Sequence, residues 1–76
     1  MSIPQRWATA RVKWGEQQKH LYVDSAYSIG LYVTEEEAQD VAEQHCKDDL
    51  TAMVLVFKID RLVRAKPIAF ESIKAD

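Results

Sequence analysis

His45 and Cys46 stand side by side, placing the chain's single thiol next to one of its two imidazoles. An imidazole that strips a thiol of its proton makes a nucleophile, provided the two side chains meet. Adjacent positions on a helix project about 100° apart, and neighbours in sequence do not face each other. The pair therefore reads as structural, with Cys46 a small buried hydrophobe and His45 at the edge of an apolar stripe. Metal binding needs three or four gathered ligands. His20 and His45 belong to different segments, and Asp48 with Asp49 reads as a solvated acidic pair at a helix end. Gly15 and Gly30 are the only glycines, so no glycine-rich phosphate cradle can form. Acids abound between residues 35 and 49, but nothing in the pattern sets two of them in a cleft for acid–base work. No catalytic, cofactor-binding or metal-binding residue is assigned, and the expectation is a protein that is not an enzyme.

A second group of residues suggests recognition instead. Trp7, Tyr22 and Tyr32 fall on the same strand face as Arg11, Lys13 and Lys58, a mixture of aromatic planes and flanking cations that sheet platforms use to stack nucleic-acid bases. Against that reading, the formal net charge is −2, which offers no cationic excess for phosphates. No RNA-recognition consensus is present either. Nucleic acid is thus disfavoured as a partner, and protein is preferred.

These residues must be positioned by a small fold. Seventy-six residues make one domain, spanning 1–76, with little core to spare. A hydrophobic content of 47% and a charged content of 29% suit a folded chain. One cysteine excludes an internal disulfide, and a free thiol fits a reducing compartment, so a cytoplasmic location is expected. No apolar run is long enough to span a bilayer, and no membrane association is expected. A small core without a disulfide or a metal favours self-association, hence an expected homodimer.

Thr34-Glu35-Glu36-Glu37 is a capping box, and its acids complement the positive end of a helix dipole. Ala38, Val41, Ala42, His45 and Cys46 then recur at helical spacing, predicting an amphipathic helix from residue 35 to about 48 with one buried face and no glycine to fix its end. Residues 6–14, 19–24 and 29–33 alternate as strands, with a polar turn at 15–18. Residues 52–60 are apolar on both faces, predicting the central strand. Residues 61–66 could continue it, and Pro67 limits 67–76 to an edge strand or an arm. The expected fold class is α+β: a small antiparallel sheet of three to five strands, ordered β-β-(β)-α-β-(β), with one helix on one face.

Alternation sorts the strand residues into two groups. Ala8, Ala10, Val12, Trp14, Leu21, Val23, Leu31, Val33, Leu55, Phe57 and Ile59 form the more apolar one, expected under the helix. Trp7, Thr9, Arg11, Lys13, His20, Tyr22, Tyr32, Val54, Val56 and Lys58 form the other, expected on the uncovered face. A face with such aromatics is too apolar to be left in water. The functional expectation follows: an interaction module that binds or modulates a larger protein, or a second copy, through that face. Its partner-binding residues would be Trp7, Arg11, Tyr22, Tyr32, Val54, Val56 and Lys58. The alternatives are a single-stranded nucleic-acid platform on the same face, or docking through the acidic helix in the manner of small phage or mobile-element inhibitors.

Overall fold

The structure, a computed structural model, describes residues 2–65 and 70–75. The chain runs β1 (Trp7–Gly15), β2 (His20–Val23), β3 (Gly30–Tyr32), α1 (Glu35–Asp48), β4 (Met53–Lys58), β5 (Arg61–Ala65) and β6 (Phe70–Lys74). The fold is α+β, with one helix on a four-stranded antiparallel sheet and a separate two-stranded hairpin made by β5 and β6.

The helix forms where its cap dictates. Thr34 takes an extended backbone and its Oγ1 accepts a hydrogen bond from the Glu37 amide at 3.2 Å, satisfying one of the donors a helix start leaves open. Three glutamates follow in the first turn. At the other end Asp49 caps the helix, its amide donating to the His45 carbonyl. Ala38 and Ala42 are buried, so the axis lies close to the sheet, across β3, β1 and β4.

The central strand is β1, and this corrects the expectation that residues 52–60 are central. One edge of β1 pairs with β4 from Trp7 to Val12, while its other edge takes β3 at Trp7–Thr9 and β2 at Val12–Gly15. Among the described residues β4 pairs with β1 alone. Its two apolar faces reflect what lies on either side of the sheet, not a central place within it. The β1–β2 turn is also displaced by one residue. Gly15 belongs to β1, and the left-handed position is taken by Lys19 at φ 58°, whose amide donates to the Gly15 carbonyl at 2.7 Å. Between β2 and β3, Asp24 closes an Asx turn: its Oδ1 accepts from the Ala26 amide at 3.1 Å.

Beyond β4 the chain leaves the sheet. Phe70–Lys74 pairs with β5, so this part of the tail is an arm rather than an edge of the main sheet, and Pro67 lies outside the described residues. The arm is tied down at its base by a parallel bridge between Ile3 and Ala75 and by the Ala75 amide donating to the Asp60 carbonyl. The molecule measures 45 × 32 × 18 Å, a slab about one helix and one sheet thick.

Candidate functional site

Which group of strand residues the helix covers follows from register and contact. Residues directly opposite across an antiparallel pair share a face. Thr9 stands opposite Val56 and Gly30, and Arg11 opposite Val54. A crevice of about 500 Å³ beside the helix is lined by Ala42, Glu43 and Cys46 from α1 and by Val54 and Val56 from β4. Arg11 Nη2 donates to Asp49 Oδ2 at 2.9 Å at the helix end. The helix therefore lies over the Trp7–Thr9–Arg11 side.

That inverts the expected assignment of faces. Trp7, Arg11, Tyr32, Val54 and Val56 were expected on the uncovered face, and all five are half-buried on the helix side. Tyr22 and Lys58 share that side by register but remain exposed. The grouping of residues by alternation is correct; the side chosen for the helix is not. Two physical features make this side suit a close helix. Thr9, Gly30 and the two valines are slender, leaving room for the small Ala38–Ala42 stripe. The carboxylate at the helix end also gives the central arginine a partner.

Arg11 is the polar centre of the covered side. Its guanidinium lies 4.1 Å from the centre of the Tyr27 ring, donates to Asp49, and approaches His45 Nδ1 at 3.5 Å, where the imidazole nitrogen can only accept. Asp49 also accepts from the Thr51 hydroxyl at 2.7 Å and the Thr51 amide at 3.0 Å. These donors, Thr51 first and Arg11 after it, lower the Asp49 pKa below its ordinary value. His45 and Cys46 turn to different neighbours, His45 to Arg11 and Cys46 Sγ to the Ala52 carbonyl at 3.8 Å. Cys46 is exposed, which corrects the expectation of a buried thiol. Among the described residues no three His, Cys, Asp or Glu side chains gather as metal ligands would, and no helix is long and apolar enough to cross a membrane.

The opposite side carries the candidate site. From β1 it presents Ala8, Ala10, Val12 and Trp14. Their cross-strand partners are Leu31 on β3, Leu21 and Val23 on β2, and Met53, Leu55 and Phe57 on β4. No residue of these strands on this side is charged. The central alanines are buried under their larger neighbours, but the neighbours themselves are open: Leu31 is 58% exposed, Val23 51%, Leu21 48% and Leu55 43%. At the arm end, Ile3, Ala8, Leu31, Phe57 and Leu62, with Arg61 beside them, line a basin of about 320 Å³ to which α1 contributes nothing. Alternation sorts Leu31 and Leu55 into one apolar group but does not mark that group as a binding surface, because the most apolar group is expected in the core. The signal that could have separated the two is the helix stripe itself. Two alanines and a valine are too slight to cover so many large side chains.

Compared with known proteins, the chain matches no family model, no curated protein and no solved structure.

Proposed function

We propose that the protein is a non-enzymatic interaction module that binds protein through the uncovered face of its four-stranded sheet. The observation that carries this reading is an uncharged face on which Leu21, Val23, Leu31 and Leu55 stand about half exposed, opposite the helix. Contiguous apolar surface of this kind marks sites of association in folded proteins. Trp14, 46% exposed at the far end of β1, supplies an aromatic anchor of the type that dominates interface energetics. Of the aromatic and cationic residues that suggested base stacking, Trp7, Arg11 and Tyr32 are half-buried on the helix side, with Arg11 held by Asp49 and Tyr27, while Lys13, Tyr22 and Lys58 stay exposed there. The protein reading rests on the opposite, uncharged side. The free thiol of Cys46 fits action in a reducing compartment, the cytoplasm.

The test is chemical cross-linking in cells of the native host, followed by identification of every covalent associate, additional copies of the chain included. Leu31→Asp with Leu21→Asp should abolish the associates of the wild type, whereas Glu36→Lys on the exposed helix face should keep them. A face variant that folds and retains every associate would sink the reading.

A further inference from the structure

We infer that the occupant of the open face is a second copy of this chain, packed sheet to sheet about a two-fold axis; the inference rests on the interaction reading above. The first argument is the state of the core. Among the described residues the buried apolar ones are Ala8, Ala10, Val12, Ala38, Ala42 and Ile73, and no large side chain is fully buried. Four alanines, one valine and one isoleucine make a very slight core for a small domain, which must draw stability from elsewhere. A partner present whenever the chain is present meets that need, and another copy is always present.

The second argument is area. The accessible surface is 5883 Å². A compact monomer of 8.7 kDa should expose about 4,700 Å². The surplus, about 1,150 Å² per copy, is shared by the open face and the exposed arm, and it amounts to about 2,300 Å² if two copies cover it together, which falls in the range of obligate homodimers. The radius of gyration of 14.8 Å likewise exceeds the roughly 11 Å of a compact chain of this length.

The third argument is self-complementarity. An isologous contact sets each patch against itself, so any charge near the axis meets its like. The β1–β4 residues of the open face carry none, and the charge nearest to it, Arg61, stands at the arm end of the basin, away from the centre of the sheet. Two such faces pack as a sandwich about 10 Å apart, their side chains interdigitating. Leu62 on the arm lines the same basin as Leu31 and Phe57, so the apolar surface continues from the sheet onto the arm.

Sedimentation equilibrium of the purified chain should give twice 8.7 kDa. Leu31→Asp with Leu55→Asp should weaken self-association by at least about 100-fold, since each aspartate would have to lose its water at the contact. Glu36→Lys should not. In the wild type, independently of whether any variant folds, the methyl groups of Leu21, Leu31 and Leu55 should be shielded from a soluble paramagnetic agent and become open on dilution. A cooperatively folding wild type that stays at single mass up to about 0.5 mM would overturn the second copy. So would self-association that leaves those methyls open, or binding to phosphatidylcholine vesicles in its place. A single-mass chain whose methyls are shielded only by an associate found in the cross-linking experiment overturns the second copy and leaves the interaction reading standing.

Discussion

Arg11 occupies the middle of the central strand, where an unpaired guanidinium under a helix would be costly, and the fold answers with three partners from two segments, the helix end and the β2–β3 loop. Asp49 comes from the helix end, Tyr27 from the β2–β3 loop and His45 from the last helical turn. The arginine side chain is 11% exposed and Asp49 is 41% exposed, so the ion pair is open to water on its acidic side. Arg11→Ala should destabilise by about 1–2 kcal/mol, through the lost hydrogen bonds and the lost cover over Tyr27, as read from urea unfolding. The pH dependence has a defined sign. Because the folded-state pKa of Asp49 is lowered, its contribution is present above the ordinary aspartate value near pH 4 and disappears as pH falls through the lower folded value. Asp49→Asn should therefore flatten the acid limb of a stability profile between about pH 5 and 2, and leave the limb above neutrality unchanged. An unaltered acid limb would mean that the Thr51 and Arg11 donors do not hold the carboxylate as described.

At the scale of elements, two backbone positions carry the tightest constraints. A Cβ on Gly30 would stand 2.8 Å from ring carbons of Tyr32, so Gly30→Ala must displace that ring on the helix side. The expected cost is about 1–3 kcal/mol, with partial recovery when Tyr32→Leu is added, measured as thermal unfolding of the single and double variants. Lys19 holds a left-handed backbone that glycine adopts freely, so Lys19→Gly should gain about 0.5–1 kcal/mol and leave the β1–β2 register unchanged by amide exchange. The same elements show what a sequence reveals. The helix start was legible to the residue, because Thr34 and its glutamates mark it by hydrogen-bond chemistry that needs no tertiary context, whereas its end, with no glycine to close it, was legible only approximately. The division of strand residues into two faces was legible because a period of two survives any arrangement of strands. Two things were not. The centrality of β4 was inferred from apolarity on both sides, but small residues such as Ala8, Thr9 and Ala10 mark the strand that is covered by neighbours on both edges. The helix side was inferred from the rule that the most apolar face turns inward, a rule that holds for a chain that closes its own core. Here Leu31 and Leu55 are more apolar than Thr9 and Arg11, yet they face outward.

For the molecule as a whole, the arm is the part with least to hold it. Every residue of β5 is exposed, and in β6 only Ile73 is buried. Across the hairpin Arg64 Nε donates to Glu71 Oε2 at 2.7 Å, an exposed pair worth about 1 kcal/mol at most. Asp60 at the arm's base has its pKa lowered by the Arg61 guanidinium, which secures the entry to β5 but not its length. A two-stranded hairpin whose packed face amounts to little more than Leu62 and Ile73 is marginal in water. In dilute solution the amides of β5 and β6 should therefore exchange through local opening at about 2 kcal/mol or less, while those of Ala8 and Ala10 require global unfolding. Raising the concentration separates two accounts of that weakness. If the arm closes over a second copy, as its share in the Leu31–Phe57–Leu62 basin suggests, its protection should rise with concentration in step with the shielding of the sheet face. If the arm lies outside the contact, the sheet face should gain protection alone. Arm amides as protected as those of β1 in dilute solution would show instead that the hairpin belongs to the same cooperative unit as the sheet, whatever covers its face.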